Sequence, residues 1–200
     1  KFYIGLQSND WCPTQTYFAE TAPGNAFFSQ QGAMFLEGNW NLMSEMKNYP
    51  DMQGKWDVAV LPACPDPESG DGRATISNGL CYATSAKNQD NEVVLDFLRF
   101  LGSEEGQRIQ GEGGAAIPAY NGLEDTWCSA FDQFDYKLNV GVFIDMFDYS
   151  VQSVNDKSRP NWKSKVSDEL LKIYGGTVDV DTGLANINTI INDAIAEAAG

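Results

Sequence analysis

Short apolar runs, each ended by a turn residue, mark the predicted strands of the chain. Residues 33–38 end at a Gly and residues 56–61 stop at a Pro, and both runs predict short buried strands. Residues 75–85 predict a third strand, interrupted at Asn78-Gly79. Because helical patterns separate these runs, the order of elements favours an α/β chain.

Helical spacing accounts for most of the remaining apolar positions before residue 120. Residues 25–31 and 41–47 predict short helices, and residues 91–110 predict one long helix. The long helix directs five apolar side chains towards a core, which are Val94, Leu95, Phe97, Leu98 and Leu101.

The last 80 residues are predicted to be mainly helical. A first stripe, up to Tyr174, ends at Gly175-Gly176. In the second, Asp181 or Thr182 is placed as the N-cap. The stripes consist of Val166, Leu170, Ile173 and Tyr174, and of Leu184, Ile187, Ile190, Ile191, Ala194, Ile195 and Ala198.

A surface loop between residues 62 and 73 is the predicted domain crossing, since it combines three prolines with two glycines and several acids. The four cysteines lie too far apart for a CxxC metal or redox pair. A Cys64–Cys81 bridge would close a short loop in an oxidising compartment, and buried free thiols are the alternative.

The charge and composition of the chain exclude several classes of function. The formal charge of −15 repels phosphate backbones and anionic lipid surfaces, so nucleic-acid binding is not expected. Aromatic residues make up 12% of the chain, more than a disordered acidic chain carries, and they have to pack or to bind something. No run of apolar residues is long enough to span a membrane. Since Lys1 follows no initiator Met and no signal peptide is visible, we expect the natural start to lie upstream.

Catalysis has few candidate groups. The chain has no histidine, which removes Ser-His and Cys-His pairs and histidine metal ligands. Carboxylate pairs of the glycosidase kind stay open, but Glu104-Glu105 and the acids of the 62–73 loop are typical of solvated charge. Residues 179–183 lack the ligand spacing of a calcium loop, and no phosphate-binding glycine motif occurs. We expect neither a cofactor nor a metal, and no enzyme.

Several motifs, taken in order, resemble the carboxyl-terminal half of solute-binding proteins of carbohydrate ABC importers, the maltose-binding-protein-like family. They are Phe28-Ser-Gln-Gln-Gly32-Ala33-Met34 leading to Gly38-Asn39-Trp40, Trp56-Asp-Val-Ala-Val-Leu61-Pro62, Asn78-Gly79, Phe97-Leu-Arg-Phe-Leu-Gly-Ser103-Glu104-Glu105-Gly106, Ile117-Pro118-Ala119, Trp162 opening a helix, and the closing amphipathic helix. Each is weak alone, but their order and spacing extend over nearly the whole chain.

The resemblance implies a two-lobed, type II periplasmic-binding-protein-like clamshell that binds a sugar in its cleft and closes by rigid-body movement. Residues 1–61 would belong to the second lobe, residues 62–118 would cross into the first, and residues 119–200 would return. It further implies binding of a sugar or oligosaccharide outside the cell or in the periplasm, a lipid anchor upstream, and a membrane permease as partner. A ligand-sensing or adhesive surface module on the same fold is the alternative, and a glycoside-acting enzyme is less favoured.

A sugar site needs flat aromatic surfaces and fixed hydrogen-bonding groups. The resemblance places Trp40 in the cleft, beside Asn39, and the alternative is a packing role. Trp162 is the second candidate ring. Arg159 would donate hydrogen bonds to hydroxyls or form a surface ion pair.

Further positions have weaker support. Asn78-Gly79 is either a ligand-facing bend or an ordinary turn, and Tyr120 lies beside the predicted crossing. Trp11 either lines an outer subsite or caps a helix, whereas Trp56 and Trp127 are predicted to pack in the core.

Overall fold

The fold is known from a computed structural model. It describes residues 2–67, 70–152 and 156–199, with the backbone alone for Phe2, Tyr3 and Gln15. The α-helices of this part of the chain are α1 (Phe2–Ser8), α2 (Gln15–Glu20), α3 (Pro23–Phe28), α4 (Leu42–Asn48), α5 (Glu92–Leu101), α6 (Glu104–Glu112), α7 (Glu124–Ser129), α8 (Val142–Asp145), α9 (Arg159–Tyr174) and α10 (Val180–Ala199). The strands are β1 (Thr75–Ser77) and β2 (Ser150–Gln152).

The chain divides into two compact units. Unit 1 consists of Lys1–Phe35 and Val154–Gly200, and unit 2 consists of Leu36–Ser153. These boundaries do not coincide with the predicted lobe boundaries after residues 61 and 118, and the lobes of the clamshell stay a prediction. None of the helices in the described ranges is long and apolar enough to cross a membrane.

Unit 1 is held together by the pairing of α9 with α10. Gly183 of α10 lies so close to Ile173 of α9 that a Cβ at Gly183 would collide with the isoleucine side chain. Glu169 is buried between the helices, where its carboxylate accepts hydrogen bonds from Asn186 Nδ2 at 2.6 Å and Lys172 Nζ at 2.7 Å. Both predicted helices are therefore confirmed, and a polar contact fixes their register.

The cap of α10 differs from the prediction. Asp179, rather than Asp181 or Thr182, precedes the helix, and its carboxylate accepts the backbone N–H of Thr182 at 3.0 Å. This hydrogen bond lowers the pKa of Asp179, because it stabilises the ionised carboxylate. Helix capping therefore accounts for Asp179.

The core of unit 2 includes α7 and the 3₁₀ turn after it, Ala130–Gln133, whose Gln133 side chain contacts Met43 of α4. Trp127 is fully enclosed, with its ring centroid 5.0 Å from that of Phe131, and its indole N–H donates to the carbonyl of Gly114 at 3.3 Å. The packing roles predicted for Trp127 and Trp56 are confirmed. The buried apolar residues of unit 2 are Leu42, Met43, Met46, Met52, Trp56, Leu123, Trp127, Phe131, Leu138, Val140, Val142 and Met146.

The strand predictions are largely wrong. Residues 33–38 and 56–61 form no strand, and the predicted strand over 75–85 reduces to β1, which pairs in parallel with β2 in the register Ile76 opposite Val151. The reason at 56–61 is local: the Asp57 carboxylate accepts the N–H of Val58 at 2.8 Å and of Asn139 at 2.7 Å, and the Tyr136 hydroxyl donates to the carbonyl of Trp56. Side chains there take the place of a strand ladder.

The long helix predicted over 91–110 is divided at Gly102-Ser103 into α5 and α6. Ser103 begins the second helix, since its hydroxyl accepts the N–H of Gly106 at 3.2 Å. The predicted core face of α5 is also wrong in part, because no residue of the helix is buried and Phe97 is 59% exposed. The short helix predicted at 41–47 is confirmed as α4, whereas α3 begins and ends before the predicted 25–31, with Pro23 in its first turn.

All four cysteines are free thiols, so the Cys64–Cys81 bridge is not formed. Cys64 and Cys81 are exposed rather than buried, and Cys12 and Cys128 are half-buried. Burial raises the pKa of Cys128, and the nearby Asp125 and Asp145 add to the effect.

Candidate ligand-binding site

Trp40 forms a flat aromatic surface at the start of unit 2. It lies in a short 3₁₀ turn, Asn39–Asn41, directly before α4, and its side chain is 54% exposed. The indole ring lies over Gly38, where a Cβ would collide with three of the ring carbons. The close approach of the ring is the reason for glycine at this position. Backbone conformation is not, because the backbone of Gly38 is extended, which any residue can adopt.

Two carboxylates flank the Trp40 turn. Glu37 accepts the N–H of Gly38 through Oε1 at 2.9 Å, so it holds the backbone on which the ring lies. Glu45, in α4, has an enclosed Oε2 with no hydrogen-bonding partner in the described part of the chain. Desolvation raises the pKa of Glu45 to about 7, and the negative charge of Glu37 adds to the rise.

Asn78 and Gly79 follow β1 on an exposed, extended segment of unit 2. The backbone of Gly79 does not have a positive φ, and no atom lies within 4 Å of the place its Cβ would take. Tyr82 belongs to the same segment, with its ring half-exposed and its hydroxyl 2.7 Å from Gln110 Oε1. Tyr82 lies within the segment 75–85, where alternating apolar and polar residues predicted a strand, but it was not among the predicted ligand-binding residues.

Tyr120 lies between α6 and α7, also in unit 2, with an exposed ring. The backbone beside it is fixed by Gln107, a buried residue whose Oε1 accepts the N–H of Ala119 at 2.9 Å and whose Nε2 donates to the carbonyl of Leu101 at 2.8 Å. Nothing in the sequence distinguishes Gln107 from a solvated helical glutamine, so its role was not predicted.

Trp162 and Arg159 lie in unit 1, in the first turn of α9. The indole N–H of Trp162 donates to the Ser158 hydroxyl at 3.1 Å, and Ser158 in turn donates to Asp156 through both its hydroxyl and its backbone N–H. These hydrogen bonds from Ser158 lower the pKa of Asp156. Trp162 is half-buried, so one side of its ring is fixed by this network and only part is left open to a ligand.

Trp11 lies in unit 1, just after α1, and its role in an outer subsite stays a prediction. Its backbone N–H donates to the carbonyl of Leu6 at 2.9 Å and so closes the end of α1, while its side chain is 77% exposed. An exposed indole on a closed turn is a suitable surface for an apolar or sugar ligand.

The candidate residues fall into separate groups. Asn39 and Trp40 share one turn, whereas Asn78 and Gly79 follow β1 and form neither the predicted bend nor a turn. No hydrogen bond or ring contact between described residues links Trp40 to Asn78 or Tyr120. Arg159 and Trp162 share the start of α9. The structure thus brings together the members of each sequence motif, and the strongest single surface is Trp40 with its supporting Gly38 and Glu37.

Acidic side chains also occur away from the Trp40 turn. Within the ranges that the structure describes, no three acidic or cysteine side chains are arranged to hold a metal ion. An open depression on unit 2 combines two carboxylates with two hydroxyls, and it is lined by Glu112, Asp125, Thr126, Ser129 and Ala130. Both this depression and the Trp40 surface therefore have groups that can form hydrogen bonds with a polar ligand.

No protein-family model matches this chain, and no curated protein matches it significantly. The family resemblance therefore stays a prediction carried by the motifs in the sequence.

Proposed function

We propose that this protein binds a sugar, as part of a solute-binding protein that delivers it to the permease of an ABC importer. The observation that carries the proposal is the exposed indole of Trp40 lying over Gly38. A sugar presents a face of C–H bonds, and an exposed aromatic ring offers a flat apolar surface against which such a face can pack.

The polar surroundings of Trp40 support a hydroxyl-bearing ligand. Asn39, in the same turn, is half-buried, and its amide both donates and accepts hydrogen bonds. Asn78, Gly79 and Tyr120 supply further exposed hydrogen-bonding groups in unit 2, and Trp162 and Arg159 supply a ring and a cation in unit 1. We propose all seven as ligand-binding residues.

The proposed setting follows from the same resemblance. We propose a location outside the cell or in the periplasm, a lipid anchor on upstream sequence, and a clamshell of which this chain supplies the second half. Binding without chemical change is proposed in place of catalysis, because the sequence lacks histidine and with it the Ser-His and Cys-His pairs of nucleophilic catalysis.

The experiment is a tryptophan-fluorescence titration of the protein with a panel of neutral mono- and oligosaccharides. Saturable quenching or a blue shift with one class of sugar is expected. A protein that responds to no sugar, but does respond to peptides, metal ions or polyamines, would overturn the sugar assignment.

A further inference from the structure

Ser158 lies at the N-cap position of α9, directly before Arg159, but its hydroxyl does not cap the helix. A serine at this position normally accepts a backbone N–H of the first helical turn through its side chain. In the described part of the chain, the hydroxyl of Ser158 accepts no such N–H. The residue is only 2% exposed, so its hydroxyl has to find its hydrogen-bonding partners within the protein.

The start of α9 is satisfied without the serine hydroxyl. The N–H of Arg159 donates to the carbonyl of Asp156 at 3.2 Å, and the N–H of Asn161 donates to the backbone carbonyl of Ser158 at 2.8 Å. Pro160, between them, has no N–H. The side chain of Ser158 is therefore available for contacts with other side chains.

The hydroxyl of Ser158 joins Asp156 to Trp162. It donates to Oδ1 of Asp156, which also accepts the backbone N–H of Ser158 at 2.6 Å, and it accepts the indole N–H of Trp162 at 3.1 Å. The hydrogen bonds can run in this direction only, because an ionised carboxylate is only an acceptor and an indole N–H is only a donor. Donation to the carboxylate also makes the hydroxyl oxygen a stronger acceptor for the indole.

This network restricts the ring of Trp162. Ser158 and Trp162 are four residues apart, so they are neighbours on one side of the helix. The indole is half-buried, and its N–H is already used by a buried hydroxyl. The part of the ring that stays open offers a ligand the carbon face of the indole and no hydrogen-bond donor.

We propose that Ser158 is a positioning residue, which fixes the indole of Trp162 through its N–H so that the ring presents its face to a ligand. The inference deepens the proposed function and rests on it for the identity of the ligand as a sugar. A sugar that packs the C–H bonds of one face against the ring fits this arrangement, whereas a ligand that needs the indole as a donor does not.

The first experiment measures by NMR how fast the indole N–H of Trp162 exchanges with solvent in the protein without ligand. The resonance is assigned by its loss in Trp162→Phe. We expect exchange at least about tenfold slower than that of Trp11, whose side chain is 77% exposed, and a rate close to that of Trp11 in Ser158→Ala. Ser164→Ala is the matched control, since it removes an exposed hydroxyl of the same helix and should leave the rate unchanged. Equally fast exchange at Trp11 and Trp162 in the unaltered protein would overturn the proposal, with no variant needed.

The second experiment is a double-mutant cycle on the affinity for the neutral oligosaccharide that gives the largest fluorescence response. Trp162→Phe retains a flat ring but has no N–H. We expect Ser158→Ala to weaken the affinity about threefold to tenfold in the unaltered protein and to have no further effect in Trp162→Phe. An equal loss in both backgrounds would overturn the proposal, because Ser158 would then act without the indole N–H.

The two experiments separate this proposal from the proposed function. Slow exchange at Trp162 that is lost in Ser158→Ala, in a protein to which no sugar binds, would contradict the sugar assignment but not the fixed position of the ring. Sugar binding by a protein whose Trp162 N–H exchanges freely would contradict the positioning role of Ser158 and leave the sugar assignment intact.

Discussion

The indole ring of Trp40 lies against the α carbon of Gly38, with no room for a side chain between them. The position of the largest exposed ring of unit 2 is thus set by contact with a residue that has no side chain. The ring therefore depends on the glycine for its position, although the two residues belong to a turn that has little buried surface.

Gly38→Ala is predicted to displace the Trp40 ring while leaving the fold intact. The added methyl group would collide with the ring, and an exposed ring can rotate away at small cost. We expect a changed tryptophan emission spectrum and an affinity for sugar weakened by about tenfold, the loss of roughly one aromatic contact. Gly141→Ala is the control, because its Cβ would meet no atom within 4 Å. Equal affinity in the two variants would contradict the account.

The stability of the protein is predicted to fall as pH rises through the pKa of Glu45. Below the ordinary value of 4.5 this carboxyl is protonated in both the folded and the unfolded chain. Between there and about 7 only the folded chain retains the proton, so the stabilisation from that proton is lost as pH rises and is absent above the folded pKa.

Glu45→Gln isolates this effect, since glutamine resembles the protonated acid in shape and carries no charge. Urea unfolding should show the variant to be about 1–2 kcal/mol more stable than the unaltered protein at pH 8, with solvent screening included, and nearly equal to it at pH 4.5. If the difference in unfolding free energy between the variant and the unaltered protein did not depend on pH, the raised pKa would not belong to Glu45.

Gly114→Ala is predicted to be among the most destabilising glycine substitutions in unit 2. Gly114 has φ +68°, which strains any other residue, and its Cβ would collide with Met43 in the core. We expect a loss of more than about 2 kcal/mol in the free energy of unfolding. The neighbouring Gly113→Ala is the control: its φ is −73°, its Cβ would make ordinary contacts, and its cost should stay below about 1 kcal/mol.

The contact between α9 and α10 predicts the acid sensitivity of unit 1. Hydrogen bonds from Asn186, and then from Lys172, lower the pKa of Glu169, so the stabilisation is complete above the unfolded pKa and is lost as pH falls through the folded one. Asn186→Ala should lower the melting temperature at pH 7 by several degrees. It should also make the melting temperature fall less steeply as the pH is lowered. Asn188→Ala, an exposed position on the same helix, should do neither.

The helices could be predicted from sequence more reliably than the strands, for physical reasons visible at particular residues. The α10 stripe repeats over about four turns, and its pairing partner α9 is the preceding helix, so the local pattern contains nearly all the information. At residues 56–61 the outcome depended on Asp57 and Tyr136, whose hydrogen bonds join positions about 80 residues apart. Only the folded chain shows that these side chains take the place of a neighbouring strand.

The candidate site shows the same division. Asn39 and Trp40 were candidates because the resemblance places an aromatic residue after the apolar run at 33–38, although that run forms no strand. The orphaned Oε2 of Glu45 and the buried amide of Gln107 could not be predicted from the sequence, since burial of a helical polar residue depends on what packs against it in three dimensions.

The central claim is that Trp40 binds a sugar, and the most direct test is calorimetric titration of three proteins with the sugar that gives the largest fluorescence response. The proteins are the unaltered chain, Trp40→Ala and Phe97→Ala, the last because Phe97 is an aromatic residue of unit 2 with an exposure of 59%, close to the 54% of Trp40. The account predicts that Trp40→Ala weakens the affinity at least about tenfold and that Phe97→Ala leaves it unchanged. Unchanged affinity in Trp40→Ala, or an equal loss in both variants, would contradict it.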